Sequence, residues 1–199
     1  MTILEGGYVL KSEFQIRYEE IARKFIKRDG LEELLSQLAD SDFYTAPAST
    51  KYHDAHKEGL VKHSLNVFSE LDTALREIDR ERMESIAIVS LFHDICKIGY
   101  YKTDVRNTKD ENGKWIQVPY YTVDDKLPLG HGDKSIIMLL QAGLSLTTEE
   151  MMAIRWHMGL SVPKEEYPSM TLAFTEFPLA LELHIADMRA TYYSEGREV

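Results

Sequence analysis

Six side chains able to bind a cation are spread along the chain: His63, His93, Asp94, His131, His157 and Asp187. The strongest signal is Ser90-Leu-Phe-His93-Asp94-Ile-Cys-Lys97-Ile-Gly99, an apolar segment interrupted by an imidazole next to a carboxylate. A purely structural helix has no reason to bury those two groups, because unpartnered they would cost several kcal/mol. A divalent cation removes that penalty. Imidazole nitrogen together with carboxylate oxygen suits Mn, Fe, Co, Ni or Zn better than Mg, which prefers an all-oxygen shell with several waters. Successive gaps of 30, 38, 26 and 30 residues separate positions 63, 93, 131, 157 and 187. Each ligand then falls on a different element, and a helical bundle must converge them on one cavity.

The elements that must do so read mostly as helices with a 3.6-residue apolar period. Phe14, Tyr18, Ile21, Ala22 and Phe25 share one face, and a second helix from Leu31 to Ala39 repeats the pattern with Leu31, Leu34, Leu35 and Leu38. Residues Ser41 to Lys57 are small and polar, include Pro47, and read as an irregular connection. Helix resumes near Gly59, with His63 among Leu60, Leu65, Val67, Phe68 and Leu71, and again from Arg82 to Lys97. Further helices are expected at Asp133 to Ala142, at Thr148 to His157 behind a Thr147 or Thr148 cap, and at Thr175 to Tyr193. Residues 100–129 break the period: Asp110-Glu-Asn-Gly113 is a turn signal before the β-rich Lys114 to Val123, which predicts a small hairpin inserted in an all-α body.

Composition sets outer limits. The chain has 199 residues, 44% hydrophobic and 28% charged, so one domain spanning 1–199 is the default. No apolar run approaches the roughly 20 residues of a membrane span, and the N-terminus lacks a signal-peptide pattern. The single cysteine, Cys96, cannot form an internal disulfide, which fits a reducing, cytoplasmic setting. A net charge of −10 argues against tight binding of long nucleic acid, whose affinity comes from many Lys and Arg contacts. A small anionic substrate remains compatible, since a metal supplies its own positive field. Oligomeric state is not legible.

Together, the six residues resemble the HD superfamily of metal-dependent phosphohydrolases, named for an adjacent His-Asp pair. That family's pattern of an early His, the doublet and a late Asp is matched by His63, His93, Asp94 and Asp187. Members with two metals add two histidines in between, here His131 and His157, and the doublet aspartate, Asp94, bridges the ions. The resemblance covers roughly residues 46–190. Ala46-Pro-Ala-Ser-Thr-Lys-Tyr-His53 and Gly59-Leu-Val-Lys-His63-Ser are similar to the entry of the HD domain in bacterial 3′-5′ exoribonucleases, without the oligonucleotide-binding barrel that precedes it there. The resemblance implies an HD-domain helical bundle, with residues 1–45 as N-terminal helices packed on a metal-binding core at 46–190. It also implies one or two divalent transition-metal ions and hydrolysis of a phosphoester or phosphoanhydride by a metal-activated water. The expected substrate is a small, nucleotide-like phosphate. The Gly-Tyr-Pro signature of cyclic di-GMP phosphodiesterases is absent after Asp94.

Around this set, His93, Asp94 and Lys97 form the expected catalytic group. Lys97 lies three residues beyond Asp94 and reads either as a phosphate contact or as a cation at the end of a helix stopping near Gly99. His53 matches the family entry motif and is a candidate substrate contact, whereas His56 reads as a solvated loop histidine. In Leu129-Gly-His-Gly-Asp133-Lys-Ser135 the glycines let the backbone bring His131 close to other groups. Lys134 and Ser135 there could meet an anion at a helix start, against the plainer reading of Asp133 as a cap and Lys134 in solvent. Arg155 is a weaker substrate candidate. His184 precedes Asp187 by three residues and competes with it as a ligand, but Leu181-Glu-Leu-His-Ile-Ala-Asp187 resembles the family's last motif. Cys96 reads as an inert core residue. Tyr100, Tyr101, Trp115, Tyr120 and Tyr121 offer base stacking or hairpin packing. Two rival functions share this ligand pattern: an HD-fold di-iron oxygenase using O2, and a nucleotide-binding regulatory module with a structural metal.

Overall fold

The computed structural model describes residues 11–51, 54–75 and 82–195. Helix α1 (Glu13–Phe25) starts at Ser12, whose side-chain oxygen accepts the backbone N–H of Gln15 at 3.2 Å. Helix α2 (Leu31–Asp40) buries Leu31, Leu34, Leu35 and Leu38, the face its spacing predicts. An irregular segment then leads to α3 (Gly59–Leu75), which buries His63 within its apolar stripe. Helix α4 (Met83–Phe92) is buried continuously from Ile86 to Phe92, and it touches α1, α3 and later helices on several sides. A helix apolar all round has to be central.

The sequence suggested a helix running through Lys97, but α4 ends at Phe92. His93 and Asp94 form a turn, and Ile95–Lys97 is a short 3₁₀ segment. Asp94 leaves helical geometry with φ −109° and ψ 14°, so the last carbonyls of α4 lose their usual partners. Each finds another. Val89 O accepts His93 N–H at 3.1 Å, Ser90 O faces His93 Nδ1 at 2.9 Å, and Leu91 O accepts the buried Tyr18 hydroxyl at 2.8 Å. The break therefore leaves these three carbonyls bonded, and the chain leaves the helical spiral at Asp94, just after His93.

Strands β1 (Tyr101–Lys109) and β2 (Trp115–Val123) form the expected hairpin, in register from Tyr101 opposite Val123 to Lys109 opposite Trp115. Asp110 closes its turn, with Oδ1 accepting the N–H groups of Asn112 and Lys114, each at 2.9 Å. The hairpin projects from the helical body and is largely exposed. Its aromatics pair locally, as Tyr101 with Tyr121 and Arg106 over Tyr120.

Helix α5 (His131–Gln141) precedes α6 (Thr148–Trp156), which opens with a complete capping box between Thr147 and Glu150. The expected helix from Thr175 to Tyr193 is instead two. Helix α7 spans Tyr167–Glu176 and α8 spans Pro178–Arg189. Pro178 has no N–H to continue α7 but suits the first turn of a new helix. Past Arg189 the chain winds into a wider π turn at Ala190–Ser194. The described residues are thus mainly α-helical with one hairpin, and no helix among them is long and apolar enough to cross a membrane.

One hydrophobic cluster runs from Tyr18 through α3, α4 and α6 to Ala190. A buried ion pair staples its edge. Arg28, just past α1, reaches both carboxylate oxygens of the fully buried Glu150 at 2.6 and 2.7 Å, and Ser85 adds a third bond at 2.6 Å. Burial alone would raise the Glu150 carboxyl, but Arg28, Ser85 and the Thr147 N–H outweigh it and hold it below the ordinary value. A depressed carboxylate stabilises the fold above its unfolded pKa, and that increment is lost as pH falls through the folded pKa. Glu150→Ala should therefore cost about 3 kcal/mol in urea unfolding at neutral pH, since it strands Arg28. Glu150→Gln should lose less stability than the parent chain when the same measurement is taken from about pH 6 to about pH 3.

Candidate metal centre

Five segments deliver the six sequence-predicted ligands to one place. His63 comes from α3, His93 and Asp94 from the break after α4, His131 from the first residue of α5, His157 from just past α6, and Asp187 from the last turn of α8. Asp94 is the hub. Its Oδ2 lies 3.6 Å from His63 Nε2 and 3.5 Å from His93 Nε2, while Oδ1 lies 2.6 Å from His131 Nε2 and 3.5 Å from His157 Nε2. His63 Nε2 is also 3.2 Å from His93 Nε2 and 3.2 Å from Asp187 Oδ1.

Three of the histidines are aimed in the same way. His93 Nδ1 faces Ser90 O at 2.9 Å, and His157 Nδ1 faces Ile154 O at 2.7 Å. In both cases the imidazole follows a helix and takes a carbonyl three residues back that the helix end has freed. His63 Nδ1 lies 2.9 Å from the Glu195 carboxylate. Carbonyls and carboxylates only accept, so Nδ1 carries a proton in all three; Nε2 of His93 and His157 is left with a lone pair inward, whereas His63 Nε2, facing the Asp187 carboxylate, gives up a proton when it binds a cation. His157 Nε2 is buried without a hydrogen-bond partner. That is costly for a protein group alone but natural for a ligand awaiting a cation. The donor set of imidazole nitrogens and carboxylates is one that binds metal ions. The candidate ligand atoms fall into three overlapping groups: His63, His93 and Asp94; His93, His157 and Asp187; and Asp94, His131 and His157. Within each, the atoms lie within 4.8 Å of one another, so these buried groups can hold a metal ion.

The charge balance keeps the carboxylates ionised. Burial would raise Asp94, but Lys97, His93 and His131 draw it well below the ordinary range. Asp187 is likewise held down against burial, chiefly by His63. Burial also opposes protonation of His63, yet Asp187 and Glu195 outweigh it and lift the imidazole to about 10. His93 goes the other way, pushed down to about 3 by burial, and His131 is lowered for the same reason. A cluster this rich in ionised carboxylate and buried imidazole is electrostatically prepared for a cation.

A cavity of about 350 Å³ opens onto the cluster, and its lining adds Lys97, Met158, Met188 and Tyr192 to the candidate ligands. Lys97 is buried, with Nζ 2.6 Å from Asp94 Oδ2 and 2.7 Å from Ala48 O. Lys134 is buried rather than in solvent. Its ammonium bonds Asp125 at 2.7 Å and sits over the Tyr100 ring, and it does not line the cavity. Arg155 also lies off the cavity, paired with Asp133 at 2.8 Å and with Glu166. Ser135 accepts the Cys96 N–H at 3.2 Å, which ties α5 to the 3₁₀ segment. Burial pushes the Cys96 thiol up to about 12, in keeping with an inert core residue.

His184 lines the cavity, but its Nδ1 faces His157 O at 2.6 Å, so it braces the turn that carries His157. His56, partly exposed, bonds the buried Asp54 at 2.9 Å, and His53 lies outside the described residues. The sequence reading overlooked Glu195. No local pattern marks a single glutamate near a chain end, and only its spacing of eight residues after Asp187 hints at a shared face. Comparison of the chain with protein-family models, curated proteins and solved structures gives no significant match.

Two glycines permit the close packing. Gly159, in the turn after α6, has φ +54°, and a Cβ there would fall 2.7 Å from His184 Nε2. Gly132 lets α5 rest directly on α6, where a Cβ would meet Arg155 Cα at 2.6 Å. Gly130 has an ordinary φ of −55°, and a Cβ there would meet a side-chain end, the Asp133 carboxylate at 2.7 Å, whereas the Cβ at Gly132 would meet backbone. Gly132→Ala should force α5 off α6 and cost about 1 to 3 kcal/mol in thermal or urea unfolding. Gly130→Ala should stay within about 1 kcal/mol of the parent.

Proposed function

We propose that the chain is a metal-dependent phosphohydrolase of the HD type, cleaving a phosphoester or phosphoanhydride of a small, nucleotide-like substrate. One observation carries this reading: the two oxygens of Asp94 face two different pairs of histidines, as a carboxylate shared between two cations would require. His63, His93 and Asp94 make one group of candidate ligands and Asp94, His131 and His157 another, while Asp187 groups with His93 and His157 and also lies 3.2 Å from His63 Nε2. The sharing of Asp94 between two groups is compatible with the ligand division the HD resemblance implies.

A bound divalent ion supplies a Lewis acid for phosphoryl oxygens and lowers the pKa of a coordinated water toward about 7. The protein's own residues do the rest. Asp94 and Asp187 stay ionised through the range of ordinary pH and so remain ligands. The Nδ1 contacts of His63, His93 and His157 hold three imidazoles in one orientation, with Nε2 directed inward. Lys97 is fixed at the cavity wall by Asp94 and Ala48 O, and its buried ammonium is a preorganised positive charge for a phosphoryl oxygen. His131 lies at the open edge of the cluster, with its side chain 26% exposed, where substrate enters. The cavity is large enough for a small ligand and too small for a folded nucleic acid.

Metal analysis of the purified chain, followed by a screen of phosphate esters and anhydrides with Mn, Fe, Co, Ni and Mg under anaerobic conditions, tests this function. Metal-dependent release of phosphate without O2 is the expected result. Turnover that demands O2 would point to oxidation instead, and nucleotide bound but left intact would point to a regulatory module. Asp94→Ala should abolish both metal content and turnover, and full activity in a metal-loaded Asp94→Ala protein would sink the assignment. Lys97→Met should keep the metal but lower kcat by about 10².

A further inference from the structure

We infer that Glu195 is a positioning residue for the metal centre, so that the turn after α8 is part of the site. This rests on the metal reading above. The Glu195 side chain is fully buried, and its Oε1 takes two donors from α3: His63 Nδ1 at 2.9 Å and Asn66 Nδ2 at 3.2 Å. Asn66 lies three residues after His63, on the same helix face, so both donors converge on one carboxylate oxygen.

The backbone is shaped to deliver it. Helix α8 places Asp187 against His63 Nε2 at 3.2 Å. The π turn at Ala190–Ser194 follows, and Glu195 N–H closes it onto Ala190 O at 3.1 Å. This i→i+5 bond puts one more residue into the turn than an α-helix allows, and it swings Glu195 inward to the opposite nitrogen of the same imidazole. One terminal segment therefore grips His63 at both nitrogens, with Asp187 beside Nε2 and Glu195 at Nδ1. His93 and His157 receive the equivalent support from carbonyls in their own helices. His63 sits in mid-helix, where Ser64, Leu65 and its other neighbours use their carbonyls within α3. Its Nδ1 needs an acceptor from elsewhere, and the chain end provides it.

A carboxylate on the far nitrogen fixes the tautomer and raises ligand basicity, and losing such a partner costs about 10- to 100-fold in metal affinity. The test is Co²⁺ titration of the full chain, read by visible absorbance and by competition with a chelator. Glu195→Ala should bind Co²⁺ about 10- to 100-fold more weakly with an altered absorbance band, and Glu195→Gln, which keeps an acceptor oxygen, should fall between it and the parent. Glu195→Leu fills the same space without an acceptor and carries the same expectation should Glu195→Ala not fold. Parent-like affinity and spectrum in the Ala or Leu variant would overturn the inference while leaving the metal reading intact. A parent chain that takes up no Co²⁺ would overturn both.

Discussion

A carboxylate, Asp94, sits at the centre of this protein only 2% exposed, and the arrangement of helices around it follows from keeping that charge there. An isolated buried charge would neutralise itself or unfold its surroundings. Asp94 instead has Lys97 on one side and four imidazoles around it, and each of these comes from a different part of the chain or from the turn that Asp94 itself makes. Moving any one helix would leave charge unbalanced in a dry interior. The demand is mutual, because the imidazoles are buried too and their inward nitrogens need the carboxylate or a cation.

The ends of the helices are what make this possible. Helix α4 stops at Phe92 and α6 at Trp156, and the histidine that follows each folds back onto a carbonyl the helix has released. A cost inherent in ending a helix is thereby turned into orientation of a ligand. Tyr18 and His184 complete the pattern by taking Leu91 O and His157 O. The Arg28–Glu150 pair and the aromatic contacts of Tyr18 with Phe43, Tyr44 and Phe92 hold the outer helices against this centre.

Much of this was legible in the residues. The buried face of α2, the Thr147 cap of α6 and the Asp110 turn of the hairpin all follow local rules of spacing and side-chain chemistry, so they need no knowledge of the rest of the fold. Lys134 illustrates the limit. Its position at a helix start suggested solvent, but Asp125 from the connection after the hairpin covers it, and no local pattern links those two. The break after Phe92 was hidden for a similar reason, since the apolar period of α4 continues into Ile95 and only the buried hub favours leaving the helix at Asp94.

By itself, the sequence determined which residues could bind a cation, because imidazoles and carboxylates inside apolar segments have few other uses, and it determined the mainly helical class with one hairpin. Tertiary structure decided how those residues are shared. It placed the two oxygens of Asp94 toward different histidines, set Lys97 on the cavity wall, withdrew Lys134 and Arg155 into ion pairs, and brought Glu195 from the chain end to His63. Local spacing fixes what a residue is and which face of its element it occupies. The distance between groups 30 to 132 residues apart depends on how whole helices pack, and that is set by the core and not by the motif.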